Sequence, residues 1–401
     1  MLKYRKHKVL ESLALGGFVI FMLALFVNIA NQDDAPRETG SGISMKEHSI
    51  RNTAEETIKK IPDISKPYEG ELELPVNGAT GYASVNLNLK DSPNANSKDV
   101  GMIQAGEGFE IISEEGGWWF ISRGESSGWL PHKYSLINLP DVIPSMIYNN
   151  TNTYASKFAS SGKSIPYVSN QALYSGKTYN ERLEREEYIM PVLYSMSKKI
   201  YKAQQLALSE GNSLILYEGF RPLFVQNAVV EGLTELANND AEVLKGINTA
   251  PWGITWFITN GVSNHQMGYG MDVSLAKVNS KVEASIGNYT VNMIEDYTEY
   301  TMPTPIHELS GASAKFTSAV TSRNDTAWRG AVYTDSMNEA AINLQIYCTS
   351  AGLTPLASEW WHFNDLDARD ETADNVSTGD YFLIEVYSTS PTEKELERDN
   401  T

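Results

Sequence analysis

The 401-residue sequence contains one cysteine, Cys348, and only six histidines. A single thiol excludes any disulfide within the chain, whatever compartment the chain occupies. Cys348 sits in NEAAINLQIYCTSAGL, an amphipathic helical pattern in which a buried thiol acts as a small apolar side chain. Basic residues are also few: 32 Lys and Arg face 50 Asp and Glu, a net charge of −18. Such a surface repels phosphate backbones, so nucleic acid is excluded as a partner. No internal repeat occurs. A nucleophile-elbow G-x-S-x-G is missing. SSGKS at 160–164 has Lys157 where a phosphate loop needs its first Gly, and HELSG at 307–311 ends in Gly311 where a zincin helix needs His.

Long apolar runs are limited to one. Ser12–Ala30 is a nineteen-residue stretch without charge, preceded by Lys3, Arg5, Lys6 and Lys8. Roughly 20 apolar residues span a bilayer, and basic residues ahead of the span keep the N-terminus inside. A cleaved signal peptide would have a shorter apolar region and a small-residue exit. The exit here reads VNIANQ. The expectation is a single-pass anchor over 1–30 with the rest of the chain extracytoplasmic, or a secreted chain if the segment is cleaved. The membrane is then a partner through this helix only. Without residues 1–30 the chain carries 28 basic and 49 acidic residues.

Residues 31–78 are polar and read as a linker, with a short helix near TAEETIKK. Residues 79–138 turn to short alternating runs (SVNLNLK, GFEIIS, WWFIS, SGWLP) separated by Gly- and Asn-rich turns, the pattern of a small all-β barrel. Residues 139–387 mix helix and strand without a regular βαβ period, which predicts an α+β domain. Ile189, Val192, Leu193, Met196 and Ile200 have helical spacing, ending at Gly211. SLILYEG predicts a buried strand. Pro222 opens a helix at its first position, and Ser336 caps another that stops at Gly352. Residues 388–401 form a polar tail.

Three separated stretches hold the residues suited to chemistry: YEGFRP with Arg221, SNHQMGYGMD with His265 and Asp272, and SEWWHFND with Glu359 and His362. Catalytic zinc takes three protein ligands and leaves one position open. His265, Asp272 and His362 supply such a set. Glu359 remains free as a general base toward a water, and Arg221 as an oxyanion partner. Gly268 and Gly270 allow a tight turn between two of the ligands. Taken singly, a loop His also suits a solvated side chain, and EWWH also suits a packed core strand. Spacing alone leaves both readings open.

These stretches resemble the zinc D-Ala-D-Ala dipeptidase and D,D-carboxypeptidase family. S-x-H-x-x-G-x-x-x-D matches Ser263, His265, Gly268 and Asp272; E-x-W-H matches Glu359, Trp361 and His362; G-[YF]-R-P matches Gly219–Pro222. The resemblance covers roughly residues 138–387 and implies a small antiparallel sheet flanked by helices. It also implies one Zn2+ per catalytic domain on His265, Asp272 and His362, with Glu359 as base, Arg221 on the transition state and Ser263 orienting groups in the site. In the family an Asp five residues after a Met receives the substrate's amino group. MPTPIHELS places His307 there and Glu308 next. His307 cannot replace a carboxylate's charge, so either Glu308 takes the role or longer stem peptides are accepted.

Residues 85–137 resemble a bacterial SH3 domain, through Asn86–Leu89, Gly106, Gly117-Trp118-Trp119 and Gly128-Trp129-Leu130. Trp118, Trp119 and Trp129 either line a ligand groove or fill the barrel core. Together the resemblances imply a wall-facing zinc peptidase whose partner is peptidoglycan or D-Ala-D-Ala-containing peptides. A cross-link endopeptidase and a non-catalytic wall-binding protein are the alternatives.

Overall fold

The computed structural model describes residues 65–391. The expected membrane helix, most of the linker with its TAEETIKK helix, and the last ten residues lie outside them. Among the described residues no helix is long and apolar enough to cross a membrane.

Seven strands build an N-terminal barrel: β1 Thr80–Ala83, β2 Leu87–Lys90, β3 Asp99–Ile103, β4 Gly108–Glu115, β5 Trp118–Arg123, β6 Ser126–Pro131 and β7 Ser135–Asn138. Trp119 is completely buried in it, whereas Trp118 and Trp129 are half-buried. The chain continues through α1 Leu139–Val142, β8 Ile147–Tyr148, the hairpin of β9 Ala159–Ser160 and β10 Lys163–Ser164, and the hairpin of β11 Lys177–Asn180 and β12 Arg185–Tyr188. Then come β13 Pro191–Leu193, α2 Tyr194–Ser209, β14 Asn212–Glu218, α3 Leu223–Asn239, α4 Ala241–Asn248, β15 Gly270–Ile286 and β16 Tyr289–Glu299. The last elements are α5 Glu339–Ser350, β17 Thr354–Pro355, β18 His362–Asn364 and α6 Leu366–Glu371. Strands and helices are mixed as an α+β arrangement.

The barrel and the C-terminal domain share a sheet. β13 adds to the barrel edge at β7, pairing Val192 with Ile137 and Leu193 with Leu136. One continuous core follows, in which Trp119 of the barrel packs against Tyr194 of α2 with ring centroids 4.7 Å apart. Of the residues with helical spacing, Val192 and Leu193 are therefore strand, and Ile189 lies in the connection between β12 and β13. Helix starts only at Tyr194, because β7 offers the preceding residues a ladder. Two caps also differ from expectation. Pro222 is the residue before α3 rather than its first residue. Asn338, not Ser336, caps α5 by accepting from the Ala341 N–H at 3.0 Å.

Both ends of the described chain are packed more tightly than a polar linker and tail require. Leu72 and Leu74 are buried, and the latter donates its N–H to Val142 O at 3.2 Å. Residues 377–391 run back across the barrel as a strap. Tyr381 stacks on Phe220 at 5.0 Å, Tyr82 donates its hydroxyl to Glu385 O at 2.7 Å, and Thr389 N–H donates to Gly78 O at 2.7 Å.

The C-terminal domain is built on a second sheet of order β17-β18-β15-β14-β8, with β16 also pairing β15. All seven residues of β14 are buried, as an interior strand requires. β15 is buried over its first seven residues and then leaves the sheet as an exposed ribbon with β16. In the central part of this sheet, Glu218 pairs with Asp272 and Asp272 with His362. Three strands thus bring three polar side chains into one row at the strand ends.

Candidate metal centre and active site

The row is completed by His265, on the loop before β15. That loop turns tightly: Met267 N–H reaches Ser263 O at 3.2 Å and Gly268 N–H reaches His265 O at 3.1 Å. Gly268 has φ +82°, and a Cβ there would lie 2.5 Å from Leu136 Cδ2. Only glycine meets both demands, so the motif glycine sets the direction in which His265 points.

His265, Asp272, Glu359 and His362 are each at most 5% exposed. The Nδ1 of His265 lies 2.7 Å from Gly219 O, and the Nε2 of His362 lies 2.9 Å from Asn364 Oδ1. Both outer nitrogens face acceptors and so carry the ring hydrogen. In the neutral form of each ring the inner nitrogen then keeps the lone pair that a cation would need. Both inner nitrogens face one oxygen, Asp272 Oδ1, at 3.4 Å for His265 and 2.9 Å for His362. Burial lowers the proton affinity of His362, with Asp272 opposing. Two imidazole nitrogens and a carboxylate oxygen aimed at a common point in a buried site make a divalent-cation donor set, with the outer hydrogen bonds fixing each ring. The residues present fit zinc. A second group, Glu218, Asp272 and His307, has comparable spacing. Glu218 is already engaged by Arg221 Nε at 2.8 Å and by Asn152 Nδ2 at 2.6 Å, so the first group is the better set.

Burial alone would raise the pKa of Asp272. His265, His307 and His362 outweigh it and hold this carboxyl well below the usual range. Glu359 goes the other way: burial and the facing charge of Asp272 push it well above the usual carboxylate range, with Arg221 and Lys315 opposing. Its Oε2 lies 3.9 Å from His362 Nδ1. Two neighbouring carboxyls with proton affinities driven apart are the arrangement in which one serves as a fixed anion and the other as a proton carrier.

Arg221 is clamped. Glu218 takes its Nε and Nη2, Gln226 Oε1 takes Nη1 at 2.8 Å, and Asp272 Oδ2 lies 3.3 Å from Nη2. Its guanidinium rests 5.0 Å from the Phe158 ring centroid. Burial opposes its charge, but Glu218 and Asp272 more than compensate and keep it cationic. Ser263 gives its hydroxyl to Gln266 Oε1 at 2.6 Å, and Gln266 Nε2 holds Arg221 O at 2.7 Å. Ser263 therefore supports the arginine while still lining the cavity.

His307 and Glu308 do not reach substrate space, and the expectation for them is corrected. Neither lines the cavity. His307 is fully buried behind Asp272, with Nε2 3.1 Å from Oδ2 and its ring stacked on Phe158 at 4.4 Å. The Glu308 carboxylate is used up by the Ser161 and Gly162 N–H groups and the Ser310 hydroxyl, so it closes the β9–β10 turn. Glu218, Gln226 and Lys315 were not foreseen as site residues. The signal for Glu218 was present, as an acid ending an otherwise apolar strand.

The cavity has a volume of about 840 Å3, and its lining includes Arg221, His265, Asp272, Glu359 and His362. Residues 180–379 match the D-ala-D-ala dipeptidase family. Through this segment the chain belongs to that family. Residues 85–135 match the bacterial SH3 domain family, so the barrel is an SH3 domain and the domain order is SH3 followed by peptidase. No curated protein matches the chain. Members of the D-ala-D-ala dipeptidase family are zinc-dependent metallopeptidases, and the peptidase domain places the family motif residues around one donor set, His265, Asp272 and His362.

Proposed function

We propose that the chain is a D,D-carboxypeptidase that removes the terminal residue from peptidoglycan peptides ending in D-Ala-D-Ala. It would be held at the wall side of the membrane by its N-terminal segment, with the SH3 domain as a wall-binding module. The observation that carries this reading over a free-dipeptide hydrolase is the cavity. At about 840 Å3 it is in the upper range of ligand sites, far roomier than a dipeptide needs. Moreover, its lining carboxylates are Asp272, Glu359 and Asp370. The first belongs to the metal set, the second is the base, and the third pairs with Arg369 at 2.7 Å. No carboxylate is left to demand a free amino terminus.

His265, Asp272 and His362 would hold zinc, and the chemistry a bound zinc ion supplies is Lewis acidity toward the scissile carbonyl and the attacking water. Glu359 takes a proton from the water through its carboxylate and returns it to the leaving amine. A base whose proton affinity is raised toward the working pH suits both directions. Arg221 places a fixed positive charge where the carbonyl oxygen becomes negative, and its clamp by Glu218 and Gln226 spares reorganisation.

The test compares D-Ala release by the zinc-loaded full chain from a pentapeptide ending in D-Ala-D-Ala and from the free dipeptide. Preference for the pentapeptide is expected. Strong preference for the free dipeptide would defeat the carboxypeptidase reading, and release from neither would defeat both.

A further inference from the structure

Part of the cavity lining carries no metal donor: Tyr269, Arg323 and Arg369, with Thr321 and Ser322. Arg323 is exposed, and its guanidinium has no carboxylate partner among the described residues. Arg369 is bound to Asp370 through Nε at 2.7 Å, and its Nη1 reaches Arg323 O at 3.3 Å, which ties the two arginine segments together. Both guanidinium charges act on the buried Tyr269 hydroxyl, opposing the rise that burial causes. All three residues line the same cavity. Two arginines and one aspartate leave this part of the lining net positive in a chain of net charge −18. An unpaired guanidinium lining a ligand cavity is suited to a planar anion, which it binds through two parallel hydrogen bonds.

From this we propose that Arg323, supported by Arg369 and Tyr269, forms a subsite for a carboxylate of the peptide substrate, built from residues outside the metal donor set. The inference rests on the peptidase reading above, because it takes the same cavity to hold peptide. The carboxylate has two possible sources: a side chain upstream of the scissile bond, or the C-terminus.

The test uses the full chain and an acidic pentapeptide ending in D-Ala-D-Ala, with two derivatives, one amidated at its side-chain carboxylate and one at its C-terminus. R323A should lower kcat/KM for the parent peptide about tenfold to a hundredfold, mainly through KM, and R323E should lower it further. In the wild-type protein one of the two amides should show the same loss, and R323A should add nothing to it; that amide identifies the source. Equal losses with R323A on all three peptides, or no loss on any, would overturn the subsite. The same titrations by calorimetry on E359Q read binding without turnover. If the reaction assignment alone is wrong, D-Ala release fails while the Arg323-dependent difference in Kd persists. If the subsite is wrong, that difference is absent.

Discussion

His307 and His362 divide the two oxygens of Asp272 between them: His307 Nε2 lies 3.1 Å from Oδ2, and His362 Nδ1 lies 2.9 Å from Oδ1. A hydrogen bond from His307 to Oδ2, together with Arg221 Nη2 at 3.3 Å, leaves Oδ1 as the oxygen turned to the metal position. His307 thus positions Asp272, one of the candidate metal donors, and is not among the residues that line the cavity. Its carbonyl accepts from Ala159 N–H at 3.1 Å, and its backbone has φ +62°, so the residue is fixed at both ends. H307A is expected to weaken zinc binding by about tenfold to a hundredfold, with little change in KM once zinc is saturating. Competition with a chelator measures this. Unchanged zinc affinity together with a raised KM would return His307 to substrate contact.

Lys315 is completely buried, and its Nζ has no hydrogen-bond partner among the described residues. The amine lies 3.9 Å from the Phe363 ring centroid. Burial pulls its pKa down to about 7 from 10.5, against the opposing influence of Cys348 and Glu359. Between those two values the unfolded chain binds a proton that the folded chain does not, so this group makes stability rise with pH across that window. K315M lacks the penalty. It should be more stable than the wild-type protein below about pH 7, by something on the order of 5 kcal/mol at about 1.4 kcal/mol per unit, and the gap should close toward pH 10.5. Denaturant unfolding at several pH values measures the gap. A K315M protein less stable at pH 6 than at pH 10, relative to wild type, would contradict it.

Asp141 joins three parts of the molecule. Its carboxylate accepts from the Thr80 N–H of the SH3 domain at 2.8 Å, from Asn180 Nδ2 at 2.6 Å and from the Ser388 hydroxyl of the strap at 2.6 Å. D141A would leave three buried donors without acceptors, at a cost of about 3 kcal/mol or more. The expected outcome is a clearly lowered Tm with kcat and KM unchanged at temperatures where the protein is folded. A Tm equal to that of the wild-type protein would show that strap and barrel are held together elsewhere.

The candidate donor set was legible in the sequence because two of its members, His265 and Asp272, lie in one local motif, and the third follows Glu359 at a fixed interval on a neighbouring strand. What supports them was not legible. Glu218 meets Arg221 locally but Asp272 only across a strand pair, and His307 reaches Asp272 from a loop 35 residues downstream. Periodicity carries no record of such contacts. The same limit explains β13. Val192 and Leu193 continue the apolar spacing of α2 and look helical, yet the edge of β7 captures them as strand. It also explains why the SH3 and peptidase segments looked like separate beads in sequence but share a sheet in the fold. Ser336 and Asn338 are both good capping residues, and only the contact to Ala341 N–H selects between them.

In the proposed reaction Glu359 is the residue of sharpest dependence, since zinc would bind without it while the proton transfers would not proceed. The decisive measurement is D-Ala release from a D-Ala-D-Ala-terminated pentapeptide by zinc-loaded wild-type and E359Q proteins, with zinc content determined on the same samples. The account predicts equal zinc in both and turnover lower in E359Q by about a hundredfold to ten-thousandfold. E359Q turning over at the wild-type rate with zinc bound would contradict it.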